Sequence, residues 1–295
     1  MSAVKNGALA RFSRIALGTW RVLEWKMRPT ELAAYLQSCQ ELGISTLDSA
    51  DIYSDYLCES VLGEALAHAP QLRHSLQFVS KCGIRLTSPR HPDVRVKHYD
   101  TSRAYIQAQV DGSLRALGIE RLDLLLIHRP DPLMDADEVA EAFCALKQSG
   151  KVLAFGVSNF APRQLELLQS RLPFALVANQ IECSLLKSDP LFDGSLDQCQ
   201  RMRMMPMAWS PLGGGRLPAT GGALGDALLR IGRELGLSSE QLALAWLLRH
   251  PAGIVPVVGT GRLDRIEAAA QVMKVELDRQ AWFSLLEAAQ GHPVP

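Results

Sequence analysis

Short apolar segments alternate with longer amphipathic segments along the chain. Between two of the apolar runs, Leu32, Tyr35, Leu36 and Cys39 lie three or four positions apart, so they share one face of a predicted helix. Glycines before several apolar runs indicate helix ends. The eight segments predicted as β-strands are Arg14–Leu17, Ser45–Asp48, Gln77–Ser80, Leu122–Ile127, Val152–Val157, Ala175–Asn179, Met204–Trp209 and Gly253–Val258.

This alternation predicts an α/β fold, a (β/α)8 TIM barrel, as a single domain over residues 1–295 with residues 1–10 flexible. The run Leu124–Ile127 is apolar on both faces, as expected of a strand covered on both sides. Pro206 and Pro256 count against central strands, because proline lacks a ladder donor, and we interpret them as strand-start or bulge positions. A doubly wound open sheet remains the alternative.

Charge and composition exclude several classes of protein. The 31 basic and 31 acidic residues balance, whereas nucleic-acid binding usually needs a concentrated basic field. No apolar run reaches membrane-spanning length, and the first residues lack a signal-peptide pattern. The six cysteines are scattered without metal-ligand spacing, so we expect reduced thiols and no metal. We therefore expect a cytoplasmic, monomeric protein with a small-molecule partner.

Polar and aromatic residues follow the predicted strands. In a (β/α)8 barrel the carboxyl ends of all strands meet at one face, where such enzymes place their active sites. The residues that this geometry brings together are Trp20, Asp48, Lys81, His128, Ser158, Asn159, Gln180, Trp209, Ser210, Gly259 and Thr260.

Four of the residues near these strand ends predict a proton-donating catalytic group. Asp48 ends the second strand, Tyr53 follows five positions later, and Lys81 and His128 follow the next two strands. An ordinary tyrosine has a pKa of about 10. A nearby ammonium favours the phenolate, so we expect Lys81, kept charged by Asp48, to lower the pKa of Tyr53. His128 is the predicted second donor to a substrate oxygen. Taken singly, each residue also has an ordinary explanation as a turn, packing or solvated residue.

The motifs resemble the aldo-keto reductase family, in family order and nearly from end to end of the chain. Residues 124–139 are most similar to a bacterial branch of oxidoreductases of unassigned substrate. The matching motifs are Gly18-Thr19-Trp20, Asp48-x-Ala50-x-x-Tyr53, Ser80-Lys81, Ile127-His128-x-Pro130, Gly156-Val157-Ser158-Asn159, Asn179-Gln180-x-Glu182 and Trp209-Ser210-Pro211-Leu212.

The resemblance implies reduction of an aldehyde or ketone with NADPH, Tyr53 protonating the carbonyl oxygen and His128 polarising it. It also implies that Ser158, Asn159 and Gln180 hold the nicotinamide carboxamide. Trp209, where many relatives have tyrosine, would stack on the nicotinamide ring. The remaining residues that it assigns to NADP(H) are Ser210, Leu212 and Gly213 at the pyrophosphate, Gly259 and Gly261 in the loop after strand eight, and Arg262 and Arg265 at the 2′-phosphate.

Substrate choice is expected to come from the loops. Trp20 and Trp25 are candidate apolar walls, and Cys82 is a candidate substrate neighbour, although an ordinary buried thiol is the alternative for that residue. Two other functions remain open at this point. One is a non-catalytic NADP-binding interaction module, and the other is a barrel isomerase or lyase that acts on sugar phosphates.

Overall fold

Eight parallel strands close into a barrel in the computed structural model, which describes residues 11–295. The predicted flexibility of residues 1–10 lies outside the described residues. β1 pairs with β2 through Ala16 and Thr46 and with β8 through Ala16 and Val257, which closes the ring. The strands are β1 Ala16–Gly18, β2 Thr46–Asp48, β3 Gln77–Cys82, β4 Leu124–Ile127, β5 Phe155–Ser158, β6 Ala178–Glu182, β7 Met205–Trp209 and β8 Val255–Val258.

This closure confirms the predicted single-domain (β/α)8 barrel and excludes the open sheet. Both faces of the strands are buried, as predicted. Leu124 and Leu126 point into the apolar interior of the barrel, whereas Leu125 and Ile127 pack in the layer between the barrel and the helices. Successive strand residues point to opposite faces, so one apolar run can fill both layers.

The helices surround the barrel and end where the glycines predicted. Gly43, Gly118 and Gly150 have φ of 82°, 65° and 73°, in the left-handed region that terminates a helix. The helices are α1 Pro29–Glu41, α2 Tyr53–Tyr56, α3 Cys58–His68, α4 Leu72–Ser75, α5 Arg103–Leu117, α6 Ala136–Gln148, α7 Pro162–Gln169, α8 Ser195–Met202, α9 Gly222–Leu235, α10 Ser239–Leu248, α11 Leu263–Val272 and α12 Arg279–Gln290. None of them, within residues 11–295, is long and apolar enough to cross a membrane.

The structure differs from the predicted elements mainly at strand starts. β5 begins at Phe155 and β6 at Ala178, three residues later than predicted, because only an isolated bridge between Leu122 and Val152 forms ahead of β5. Pro206 and Pro256 are each the second residue of a strand, which fits the strand-start interpretation. The segment after β3, predicted as a loop, contains a two-stranded antiparallel ribbon of Ile84–Arg85 and His98–Tyr99.

Two glycines inside helices give a stability test of the packing between α3 and α5. A Cβ built on Gly63 would lie 1.9 Å from the carbonyl oxygen of Ala116, whereas one on Gly112 meets nothing within 4 Å. We expect Gly63→Ala to lower the free energy of unfolding by about 1–3 kcal/mol, because backbone atoms cannot move aside easily. Gly112→Ala is the matched control and should raise it by about 0.5–1 kcal/mol through helix propensity. Urea unfolding measures both, and equal effects of the two substitutions would contradict the close packing.

Candidate active site

Asp48, Tyr53 and Lys81 form one hydrogen-bonded group at the carboxyl-terminal face of the barrel. The Lys81 ammonium donates to Asp48 Oδ2 at 2.8 Å, to the Ser49 carbonyl oxygen at 2.8 Å and to the Tyr53 hydroxyl oxygen at 2.9 Å. Its side chain is 0% exposed. An ammonium has three N–H donors, and here all three have acceptors. The structure thus brings together the acid, phenol and amine predicted from the strand ends.

Tyr53 is followed by a turn with an unusual backbone. Ser54, Asp55 and Tyr56 have φ of 53°, 55° and 65°, and each non-glycine residue in this region costs about 1–2 kcal/mol. Hydrogen bonds hold the turn: the Ser54 hydroxyl donates to the Trp20 carbonyl at 2.9 Å, and the Leu86 N–H donates to the Tyr56 hydroxyl at 2.8 Å. No glycine marks this turn, so the sequence carried no signal for it.

His128 packs against the ring of Tyr53. Its ring meets the Tyr53 ring edge to face, with centroids 5.6 Å apart, and its backbone N–H donates to the Cys82 carbonyl at 2.8 Å. Burial, followed by the nearby charges of Lys81 and Arg129, holds the pKa of His128 well below its usual value. The ring is therefore neutral at physiological pH, and one of its nitrogens carries a proton that it can donate.

The expectation that Tyr53 has a lowered pKa is wrong for the protein without ligand. Burial raises the pKa of Tyr53 more than the Lys81 charge lowers it, and the Asp48 carboxylate adds to the rise. Burial also opposes the charge on Lys81, but its contacts with Asp48 and Tyr53 outweigh that cost and raise its pKa. At neutral pH the group therefore holds a protonated phenol beside an ammonium, which suits a proton donor.

A second set of predicted residues lies next to this group and is joined to it. The Trp209 indole N–H donates to Asn159 Oδ1 at 2.9 Å, and the Asn159 amide donates to the Ser158 hydroxyl oxygen at 2.7 Å. The Ser158 hydroxyl donates to the Gln180 carbonyl at 2.9 Å, and the Gln180 side-chain amide donates to Asp48 Oδ1 at 2.7 Å. One continuous chain of hydrogen bonds thus runs from the indole to Asp48.

The loop after β7 has a backbone that only glycine adopts easily. Ser210 has φ of 50°, and Gly213, Gly214 and Gly215 have φ of 60°, 67° and 92°. A Cβ on Gly213 would lie 2.5 Å from Leu186, whereas open space surrounds the other two glycines. Leu212 packs between the two outer apolar clusters. With amide and hydroxyl groups, a flat indole and a glycine loop at one face, the residues fit a dinucleotide.

The loop after β8 contains Gly259, Gly261 and Arg262, and Arg265 lies in the first turn of α11. A Cβ on Gly261 would lie 2.5 Å from Trp25, and the Tyr35 hydroxyl donates to the Thr260 carbonyl at 2.5 Å. Arg262 and Arg265 are both exposed. Arg262 forms a two-pronged ion pair with Asp264, with N–O distances of 2.5 and 3.1 Å, which the sequence analysis did not anticipate. Their role at a 2′-phosphate stays a prediction.

The three candidate substrate residues have different surroundings. Trp20 is 61% exposed at the end of β1 and presents an open apolar face. Trp25 packs edge to face on Tyr35, 5.6 Å between centroids, and covers Gly261. Cys82 is buried in the apolar layer outside the barrel, and burial holds the pKa of its thiol well above its usual value. Cys82 therefore has the surroundings of the ordinary buried thiol, and Trp20 is the most exposed of the three.

Fold and site together define a (β/α)8-barrel oxidoreductase. The model of the aldo/keto reductase family matches residues 14–289, and the chain belongs to this family. It is 50% identical to a 6-dehydroglucose reductase of Agrobacterium fabrum and 49% identical to the oxidoreductase YdhF of Escherichia coli, with 96% of both chains covered in each comparison. A Klebsiella pneumoniae aldo/keto reductase solved with NADP and acetate is 26% identical, with a TM-score of 0.77 over 96% of this chain and 93% of the other.

Two buried acids beneath Lys81 were missed by the sequence analysis. Neither carboxylate oxygen of Asp51 has a hydrogen-bond partner among residues 11–295, and Glu59 accepts a hydrogen bond from the Ser80 hydroxyl at 2.5 Å. Burial, with Glu59 nearby, raises the pKa of Asp51 well above its ordinary 3.8, and burial also raises the pKa of Glu59.

Within residues 11–295, no three His, Cys, Asp or Glu side chains are placed to hold a metal ion.

The raised pKa of Asp51 predicts how stability depends on pH. The folded protein keeps a proton that the unfolded chain releases, so this residue reduces stability progressively as pH rises above about 4. We expect Asp51→Asn to raise the free energy of unfolding at pH 8 by ~1 kcal/mol or more, with the gain vanishing toward pH 4. Urea unfolding across this range measures the effect. The exposed Asp55→Asn is the control, and a pH-independent gain for Asp51→Asn would contradict the assignment.

Proposed function

We propose that the protein reduces aldehydes or ketones to alcohols with NADPH, and that Tyr53 is the general acid. The observation that carries this proposal is the 2.9 Å contact of the buried Lys81 ammonium with the Tyr53 hydroxyl. An ammonium at that distance stabilises the phenolate that remains after the proton has left. Tyr53 thus keeps its proton before the reaction, and the Lys81 ammonium assists the loss of that proton during it.

Four side chains would divide the proton chemistry between them. Tyr53 gives its proton to the substrate oxygen as negative charge develops there. Lys81 holds the resulting phenolate, and Asp48 keeps Lys81 charged through the 2.8 Å ion pair. His128, which is neutral, donates a second hydrogen bond to the same oxygen and orients the carbonyl. The nicotinamide supplies the hydride when bound.

The cofactor would be held by groups of matching chemistry. A carboxamide both donates and accepts hydrogen bonds, and Ser158, Asn159 and Gln180 offer hydroxyl and amide groups for both roles. The Trp209 indole offers a flat apolar face for the nicotinamide ring, and the glycine loop allows close approach of a pyrophosphate. The remaining proposed cofactor contacts are Ser210, Leu212, Gly213, Gly259, Gly261, Arg262 and Arg265. The NADP-bound Klebsiella relative supports this cofactor.

The relatives suggest which carbonyl to test first. The relative that is 50% identical over nearly the full chain is named a 6-dehydroglucose reductase, so this sugar aldehyde is our first candidate substrate. The apolar face of a sugar ring would pack on the exposed indole of Trp20. Neutral sugars, aromatic aldehydes and dicarbonyls form the comparison panel. The non-catalytic module would bind NADPH without oxidising it, and a sugar-phosphate isomerase would not depend on nicotinamide.

Replacement of Tyr53 by phenylalanine tests the proposed acid. We expect Tyr53→Phe to lower kcat by roughly 10²–10⁴-fold, because the proton donor is lost. The Kd of NADPH, followed by tryptophan fluorescence, should stay unchanged, because the phenol is not one of the proposed cofactor contacts. Tyr105→Phe is the control, since that hydroxyl donates to the Ile84 carbonyl away from Lys81. Normal turnover by Tyr53→Phe would rule out this mechanism.

The choice of NADPH over NADH is tested at Arg262, which precedes α11, and at Arg265 in its first turn. We expect Arg262→Gln and Arg265→Gln each to raise the Kd of NADPH by about tenfold or more, because a charge-assisted hydrogen bond to phosphate is lost. The Kd of NADH should not change in either variant. The effect of Arg262→Gln should be the smaller one, since Asp264 already engages that guanidinium. Equal losses for both cofactors would exclude a 2′-phosphate site there.

A further inference from the structure

The Asp48 carboxylate is held by a residue of the neighbouring strand and by a residue of the strand opposite it in the barrel. Lys81 on β3 donates to one oxygen at 2.8 Å, and the Gln180 side-chain amide donates to the other at 2.7 Å. Gln180 lies on β6, which is the fourth strand from β2 in a ring of eight. Its side chain therefore reaches across the mouth of the barrel to bind Asp48. Both residues are buried, with 2% exposure each.

Gln180 also connects Ser158 and Asn159, which are proposed to hold the nicotinamide, to the proton-donating group. Its backbone carbonyl accepts from the Ser158 hydroxyl at 2.9 Å and from the Asn159 N–H at 2.8 Å. Among residues 11–295, no group donates to its side-chain oxygen, while its side-chain nitrogen is committed to Asp48. The side-chain amide of Gln180 thus turns its donor toward Asp48 in the proton-donating group.

The physical consequence of this contact concerns the field of Asp48. A carboxylate in a low-dielectric site acts strongly on its neighbours, and an amide N–H pointed at it offsets part of its charge. The charge of Asp48 raises the pKa of Tyr53 and helps to keep Lys81 protonated. The Gln180 amide donates to Asp48 Oδ1, the oxygen that Lys81 does not contact. It therefore weakens the effect by which the Asp48 charge raises the pKa of Tyr53.

We propose that Gln180 is a positioning residue of the proton-donating group: its side-chain amide holds Asp48 and makes Tyr53 a stronger acid than Asp48 and Lys81 alone would. This inference deepens the proposed reductase function and rests on it for its catalytic meaning. The physical link between Gln180 and Tyr53 exists without turnover, so it can be measured separately.

The charged and titratable groups around Tyr53 and Lys81 must stay constant in a test. They come from five places in the fold: the end of β2, the loop that follows it, α3, β3 and the residue after β4. These groups are Asp48, Asp51, Cys58, Glu59, Lys81 and His128. None is altered by a substitution at position 180, so a change in the titration of Tyr53 reports the amide.

The experiment titrates Tyr53 directly in the full-length protein. The chain has five tyrosines, so fluorinated tyrosine gives five fluorine NMR signals, and Tyr53→Phe identifies the one that belongs to Tyr53. Fluorination also lowers the pKa of the phenol and brings its titration to a milder pH. The variants are Gln180→Met, which removes the donor at similar length, and Gln180→Glu, which adds negative charge. Gln37→Met, on the exposed face of α1, is the matched control.

We expect the midpoint of the Tyr53 signal to rise by about half a pH unit or more in Gln180→Met, and further in Gln180→Glu. Gln37→Met should leave it unchanged. Gln180→Asn keeps an amide but is one carbon too short to reach Asp48, so it should behave like Gln180→Met and replaces it if that variant does not fold. The alkaline limb of kcat at saturating NADPH should move in the same order.

An unchanged or lowered midpoint in folded Gln180→Met or Gln180→Asn would overturn the proposal. So would a variant that only raises the KM for NADPH, because that is the result of a role in cofactor binding alone. Failure of the reductase proposal looks different. A protein that reduces no carbonyl but shows the ordered rise keeps the link between Gln180 and Tyr53, whereas an active protein without the rise loses it.

Discussion

A buried ammonium is the constraint on which the rest of this structure depends. Lys81 lies in the barrel with no exposed surface, and removing such a charge from water costs several kcal/mol unless every donor is matched. Asp48, the Ser49 carbonyl and Tyr53 match all three donors. These acceptors come from the end of β2 and from the turn that follows it. The charge therefore holds the end of β2, the turn after it and β3 together.

The same charge, together with burial, acts on the pKa values of its neighbours. It lowers the pKa of His128, which burial has already lowered, so the imidazole stays neutral. It opposes the rise in the pKa of Tyr53 that burial causes, without reversing it. The result is a site that contains two uncharged donors beside a fixed positive charge. That combination favours negative charge on an oxygen placed between Tyr53 and His128, which is the charge that develops in carbonyl reduction.

The proximity of the candidate residues could be predicted from the sequence better than their electrostatics could. The strand ends predicted that Asp48, Lys81 and Gln180 meet at one face, and the structure places them within hydrogen-bond distance. The direction of the Tyr53 pKa was wrong, because the prediction counted the ammonium and not the burial of the phenol. Asp51 and Glu59 were missed for the same reason, since nothing in a sequence marks an acid as buried.

The sequence by itself determined the barrel, the face at which the candidate site residues meet and the family to which the chain belongs. It could do so because strand and helix periods, glycine helix ends and strand-end residues are local patterns, and parallel strands bring their ends together in any closed ring. Only the tertiary structure decided that Trp25 packs on Gly261, that Arg262 is engaged by Asp264, and that Gln180 crosses the barrel to Asp48. These contacts depend on the direction and the burial of side chains, and both depend on how the strands close into the barrel.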